Sequence, residues 1–113
     1  MPTKFDDLVK LPGIGLYVAS AVATRFGGEC HPMLDVNMAR VLQRYFDLEI
    51  RVEIRRDKQL RSLAQKVVEG PNCLLFNWAI LDIGSIYCTS RFPVHNGCPI
   101  RLSCWLYKQQ DVR

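Results

Sequence analysis

The C-terminal part of the chain contains four potential metal ligands in the pattern Cys-x6-His-x2-Cys-x5-Cys, namely Cys88, His95, Cys98 and Cys104. Thiolate and imidazole are side chains that bind iron and zinc in proteins. At these separations all four residues can surround one metal centre. The pattern therefore predicts a C-terminal loop whose shape is held by a metal.

The composition narrows the class of protein. A chain of 113 residues normally forms one domain, and its net charge of +4 permits an anionic partner without requiring one. No apolar run approaches the ~18 residues of a membrane span, and the N-terminus lacks a signal-peptide pattern, so we expect a cytoplasmic protein with no membrane partner. Five cysteines is an odd count, which argues against a disulfide framework. We expect Cys30 and Cys73 to be unpaired and to behave as small buried hydrophobic residues.

Apolar residues recur with helical periodicity along most of the chain, which predicts an all-α fold. Glycine and proline pairs mark the ends of several segments. The charged, β-branched stretch after the third helix is predicted to be a linker, and the polar C-terminus a frayed tail. The predicted helices cover residues 5–9, 16–26, 35–46, 60–68 and 73–87, the linker covers 47–57, and the tail covers 108–113.

A short glycine turn separates the first two predicted helices, with the sequence Leu11-Pro12-Gly13-Ile14-Gly15. Glycine permits positive φ and lets another molecule approach the backbone closely. The amides at the start of the next helix then point outward with the positive end of the helix dipole, which suits a phosphate. Such contacts position a nucleic acid without reading its sequence. For an isolated Gly-x-Gly, a purely structural turn is the alternative.

Three stretches carry a resemblance to a known family: residues 11–19 (LPGIGLYVA), 34–41 (LDVNMARV) and 76–84 (FNWAILDIG). In this order, with the cysteine loop after them, they resemble the helix-hairpin-helix DNA glycosylases of the endonuclease III and MutY type, and most of all the adenine and mismatch-thymine glycosylases. The resemblance covers nearly the whole chain. It implies a single domain, 1–113, that is the C-terminal portion of such an enzyme. Residues 1–46 would hold the hairpin and the catalytic helix, and 47–113 a helical subdomain that ends in the cysteine loop.

The resemblance also implies roles for two residues near the hairpin. Asp35 matches the family's catalytic aspartate, which stabilises positive charge on the sugar and orients a water molecule. From spacing alone, a helix N-cap is the better explanation of Asp35; the resemblance favours catalysis, and the two roles are compatible. Tyr17 stands where family members with lyase activity carry a lysine. Because a phenol cannot form the Schiff base, Tyr17 implies a monofunctional enzyme, although it also fits as an ordinary amphipathic residue at a helix start.

The cysteine loop departs from the family pattern at one position. The family binds a [4Fe-4S] cluster with four cysteines at these spacings, and here His95 takes the place of the second. Imidazole is an iron ligand in Rieske centres, which are a different cluster type. Zinc, or no metal at all, remain as alternatives. Arg91 lies inside the loop and is expected to approach a DNA backbone. Arg25, Arg40 and Arg44 either reach phosphates or lie on solvated helix faces.

Together these observations predict a base-excision-repair glycosylase that binds double-stranded DNA through Leu11, Gly13, Ile14, Gly15 and Arg91 and hydrolyses the N-glycosidic bond of a mismatched base. The family's base pocket depends on a helical segment that precedes the hairpin, and this chain shows no such segment. We therefore expect an incomplete enzyme that needs a helical N-terminal half or self-associates through uncovered apolar helices. The alternatives are a non-catalytic DNA-binding hairpin module and a purely structural helical protein.

Overall fold

The computed structural model describes residues 2–49, 53–91 and 93–111. Within these ranges the chain is helical, and its β-structure is limited to an isolated bridge between Cys88 and Pro93. The predicted all-α class is confirmed. The α-helices are α1 (Phe5–Leu8), α2 (Leu16–Phe26), α3 (Val36–Phe46), α4 (Lys58–Val68), α5 (Cys73–Ile86) and α6 (Trp105–Asp111), with 3-10 turns at Ile54–Arg56 and Arg101–Ser103.

Two predicted irregular segments differ from the structure. The linker 47–57 contains the 3-10 turn Ile54–Arg56, and its residues 50–52 lie outside the described ranges. The tail was predicted to fray from residue 108, but α6 continues to Asp111. Periodicity missed α6 because a helix of two turns gives too short a pattern. Its stability comes from tertiary packing, since α6 packs on α3 and the ring of Tyr107 lies beside that of His95, with the ring centroids 5.0 Å apart.

The main core lies between α3, α4 and α5. Met38, Ala64 and Val68 are fully buried at its centre. At Gly84 on α5, a Cβ would lie 3.1 Å from the carbonyl oxygen of Asn37 on α3, so glycine permits the close approach of these two helices. This contact places the helix that follows Asp35 directly against α5. A second, smaller cluster around Leu8 joins α1 to α2. The division of the domain at residue 46 stays a prediction.

Cys30 and Cys73 form a disulfide bond, so the expectation of two unpaired cysteines is wrong. The bond joins the segment after α2 to the first residue of α5, across 43 positions of sequence. Cys73 is buried, as expected, and Cys30 is half-buried. Local spacing gave no sign of this pair because tertiary packing, not sequence proximity, brings the two residues together.

Helices α2 and α5 each expose an apolar face. Phe26 on α2 has 70% of its surface exposed, and Trp78 on α5 has 44%. The guanidinium of Arg25 lies over both rings, 5.4 Å from the centre of Phe26 and 6.0 Å from that of Trp78, so the two faces adjoin. The further large apolar residues exposed on these helices are Tyr17, Val18, Leu75, Phe76 and Ile86. Helix α5 is apolar on most sides because one of its faces packs in the core and another is uncovered. None of the helices in the described part of the chain is long and apolar enough to cross a membrane.

Candidate functional site

The hairpin between α1 and α2 turns at Gly13. Its φ of +80° lies in the region that favours glycine. Gly15 is the N-cap of α2 and has an extended backbone, with φ −86° and ψ 176°. Within the hairpin, the conformation that favours glycine is therefore found at Gly13 and not at Gly15. A Cβ at Gly15 would meet no atom within 4 Å. The space in front of Gly15 is thus open to a ligand.

Leu11 and Ile14 direct their side chains into the hairpin itself. Both are half-buried against the cluster around Leu8 and Ala19. The Ile14 N–H also donates to the carbonyl of Leu11, at 3.3 Å. These side chains therefore stabilise the turn, and a nucleic acid at the hairpin would meet mainly backbone.

The first turn of α2 presents amides to the open side of the hairpin. The helical hydrogen-bond ladder begins with the Ala19 N–H, which donates to the Gly15 carbonyl at 3.0 Å. The amides of residues 16–18 have no acceptor within the helix, and Gly15 offers no capping side chain. Tyr17 lies in the same turn and is exposed. This arrangement has the chemistry of an anion site.

Asp35 caps α3, as the sequence predicted. Its Oδ1 accepts a hydrogen bond from the Met38 backbone N–H at 2.9 Å, and its Oδ2 accepts a longer one from the side-chain Nδ2 of Asn37 at 3.4 Å. The residue is half-buried. A carboxylate held in this way cannot rotate freely.

Residues 29–34, which we call the strap, connect the end of α2 to Asp35. The strap is tied to the hairpin at Phe5, whose N–H donates to Glu29 Oε1 at 3.0 Å and whose ring stacks on His31 with centroids 4.6 Å apart. The Phe5 N–H, and then the His31 side chain, hold the pKa of Glu29 below its ordinary value. Through these contacts the hairpin and Asp35 belong to one connected unit.

Arg40 and Arg44 on α3 have neither of the roles considered from sequence. Arg40 donates to the carbonyls of Gly84 at 2.8 Å and Cys88 at 2.7 Å, and to the Asn37 side chain at 2.8 Å. Arg44 donates to the carbonyls of Thr89 at 2.6 Å and Ser90 at 3.0 Å. Both arginines thus fasten the helix that Asp35 caps to the start of the cysteine loop. Helical periodicity predicts that these two arginines lie on a polar face of α3. It cannot show which backbone carbonyls of other segments lie within reach of their guanidinium groups.

The four predicted metal ligands line one small cavity. Cys88, His95, Cys98 and Cys104 all border it, and the three cysteines are free thiols. The cavity volume is about 20 Å³, which is room for about one water molecule. Among the described residues, no three potential ligands are close enough together to hold a metal ion. The structure therefore gathers the donor set without forming a finished coordination site.

Two contacts from Arg44 reach this cavity. Its guanidinium donates to Cys88 Sγ at 3.4 Å, and its carbonyl accepts from Cys104 Sγ at 3.7 Å. Arg91, in the same loop, is exposed.

Known proteins resemble this chain in both sequence and structure. Adenine DNA glycosylase from Buchnera aphidicola subsp. Schizaphis graminum is 36% identical over 111 residues, which cover 97% of this chain and 32% of the relative. The solved structure of a thermostable thymine-DNA glycosylase superposes with a TM-score of 0.87 at 31% identity, covering 96% of this chain and 50% of that one. No protein-family model matches the sequence. The chain belongs to the helix-hairpin-helix DNA glycosylase family.

The match is to the C-terminal portion of the glycosylases. The chain spans about a third of the Buchnera adenine glycosylase and half of the thymine glycosylase structure. The fold also matches that of endonuclease III in a non-covalent complex with DNA, with a TM-score of 0.79 at 20% identity, covering all of this chain and 51% of that one. The hairpin, Asp35 and the cysteine loop therefore belong to a segment found in larger members of the glycosylase family.

Proposed function

We propose that this chain provides the DNA-binding hairpin and the catalytic carboxylate of a base-excision-repair glycosylase of the MutY type. The observation that carries the proposal is Asp35, held at the start of α3 by the Met38 N–H and connected to the hairpin through the strap. Breaking an N-glycosidic bond builds positive charge on the sugar. A fixed carboxylate stabilises that charge and orients the water that replaces the base.

Tyr17 supports a monofunctional reaction. It lies in the first turn of α2, where the family's lyase members would carry a lysine, and its side chain is exposed beside the open face of the hairpin. A phenol forms no imine with the sugar. In this proposal the reaction ends with hydrolysis, and the DNA strand is left intact.

Double-stranded DNA is the proposed partner at the hairpin. The free amides of residues 16–18 and the open space at Gly13 and Gly15 suit a backbone phosphate. Exposed Arg91 would add a second phosphate contact. A non-catalytic DNA-binding module is the alternative, favoured by the fact that the hairpin is complete within the chain. In either case we propose that the protein works where DNA is, at the bacterial nucleoid or in the eukaryotic nucleus.

Gly15→Val is expected to weaken duplex binding about tenfold to a hundredfold for every DNA sequence alike, because the new side chain blocks the approach of a phosphate to the amides of α2. The backbone of Gly15 suits any residue, so the helical circular dichroism should stay unchanged. Affinity is measured by fluorescence anisotropy with two unrelated duplexes over a range of salt.

Gln59→Val, which adds a valine to the exposed start of α4, is the matched control and should bind like the wild type. Gly13→Ala is a poor substitute, since φ of +80° strains any side chain there. A folded Gly15→Val protein with wild-type affinity would show that the hairpin is not where DNA binds.

We propose that the adjoining apolar faces of α2 and α5 bind the helical half that the larger glycosylases possess, or else a second copy of this chain. Phe26 and Trp78 lie on these faces, and uncovered apolar surface of this kind marks an interaction site. A chimera tests this directly. In it, the chain replaces the matching 111-residue segment of the Buchnera adenine glycosylase. Docking of the relative's remaining part on these faces should give a folded monomer.

Cys88, His95, Cys98 and Cys104 are the proposed ligands of a [4Fe-4S] cluster. The donor set fits, since three free thiols and one imidazole border the same cavity and a guanidinium lies beside Cys88 Sγ. The small cavity means that the loop must open outward to accept a cluster. When bound, the cluster would fix the shape of the loop. Arg91 would then be held in one position against DNA.

Protein purified without oxygen is expected to contain about four iron and four sulfide per chain, the stoichiometry that defines the proposed cluster type. His95→Cys should raise cluster occupancy and slow its loss in air, because a fourth thiolate replaces a neutral ligand. Iron, zinc and sulfide analysis of both proteins checks this. One zinc per chain without sulfide would indicate a zinc site, and no metal in either protein would show that the loop folds by packing alone.

A further inference from the structure

Asn77 is an amide in the middle of the apolar helix α5, and its side chain is fully buried, with 0% exposure. Burying an amide is unfavourable unless its polar atoms find partners. Here Oδ1 accepts from the Met33 N–H at 2.6 Å, and Nδ2 donates to the carbonyls of His31 at 3.1 Å and Cys73 at 3.0 Å. Both N–H donors and the carbonyl are therefore in use.

Two of these bonds go to the strap, at residues 31 and 33. An amide that donates to one residue and accepts from the second residue after it imitates the pairing of a neighbouring β-strand. Such a contact fixes both the position and the rotation of an extended segment. Asp35 follows Met33 by two residues. The position of the backbone at Met33 therefore limits where the carboxylate of Asp35 can lie.

The other side-chain hydrogen bonds to the strap lie farther from Asp35, whose neighbour Leu34 is held by apolar packing in the main core. Thr24 Oγ1 accepts from the His31 N–H at 3.0 Å and donates to the His31 carbonyl at 3.2 Å. Gln65 donates to the Cys30 carbonyl at 3.0 Å. Of these hydrogen bonds, the one that the Met33 N–H donates to Asn77 Oδ1 is the nearest to Asp35 along the chain.

We propose that Asn77 is a positioning residue that acts through the strap to place the carboxylate of Asp35. The role of Asp35 in base release rests on the function proposed above, whereas the control of its position by Asn77 does not. Asn77→Leu keeps the branched shape and the number of side-chain heavy atoms, removes the amide and leaves the Met33 N–H without its acceptor. The strap would then move at its Asp35 end, and the hydrogen bond from the Met38 N–H to Asp35 would open more often.

Amide hydrogen exchange, read by NMR on the 113-residue chain, tests the positioning role. In Asn77→Leu, the Met33 and Met38 amides should exchange about tenfold faster or more than in the wild type, as the loss of a buried hydrogen bond implies. Thr24→Val is the matched control, because it removes a strap contact at His31 and should speed exchange there without affecting Met38. Unchanged Met38 exchange in a folded Asn77→Leu protein would overturn the proposal.

The wild-type protein gives a second test that does not depend on the variant folding. There the Met33 amide should exchange as slowly as the core amides of α5, and rapid exchange at Met33 would overturn the proposal.

In the chimera, Asn77→Leu should lower the single-turnover rate of base release about tenfold and leave duplex affinity unchanged, since a displaced carboxylate acts on the chemical step. A wild-type rate in that variant would also overturn it. A wild-type chimera without activity would contradict the proposed function instead, and the exchange result would still decide the role of Asn77.

Discussion

Asp35→Asn is expected to slow base release by about 10²–10⁴-fold in the chimera, the range that a positioned general base contributes. Asparagine keeps the shape of aspartate and is an equally good helix N-cap, so α3 should remain intact. The lost property is the negative charge that stabilises the sugar in the transition state. Single-turnover assays on mismatched duplexes measure the rate without interference from product release.

Duplex affinity and the thermal midpoint serve as controls for this variant, and both should match the wild type. Asp57→Asn provides the matched substitution, because Asp57 caps α4 through the Leu60 N–H at 2.9 Å just as Asp35 caps α3. It should leave the rate of base release unaffected. A wild-type rate in Asp35→Asn would remove Asp35 from the mechanism and reduce its role to capping.

Reduction of the Cys30–Cys73 disulfide is expected to lower the free energy of unfolding by about 4 kcal/mol, because the bond closes a loop with a sequence separation of 43 and so restricts the unfolded chain. This is a large share of the stability of a small domain. The reduced protein should also have a looser strap, since Cys30 is the strap's second residue. Urea unfolding with and without a phosphine reductant measures the difference.

The double variant Cys30→Ala, Cys73→Ala is the control for this experiment. It should unfold at the midpoint of the reduced wild type, and the reductant should cause no further change in it. Mass spectrometry after thiol labelling counts the cysteines that react in each sample. Equal midpoints for the oxidised and reduced wild type would show that the bond contributes nothing to folding.

Local patterns in the sequence were sufficient for most of the fold. Periodicity located α2 to α5, and Asp35 was recognised as a cap because aspartate before an amphipathic run satisfies free helix amides. The glycine turn was also predicted, although its positive φ falls at Gly13 alone. These features depend on residues within a few positions of one another.

The features that sequence reasoning missed depend on residues distant in the chain. The Cys30–Cys73 bond joins positions that no spacing rule connects. The carbonyls bound by Arg40 lie more than 40 positions away. Asn77 alone left a signal that could have been used, since an amide in the middle of an apolar helix must find buried partners. Which partners it finds could be known only from the packing of the strap on α5.

Base release by the wild-type chimera tests the central claim most directly. Duplexes with an A·G or a G·T mismatch and a fully paired control would be incubated with excess protein, and the abasic product measured after heating in alkali. The account predicts base release from at least one mismatched duplex, none from the paired control, and none by the 113-residue chain alone. A folded chimera that binds DNA but releases no base from either mismatch would contradict it and would indicate a DNA-binding module without catalysis.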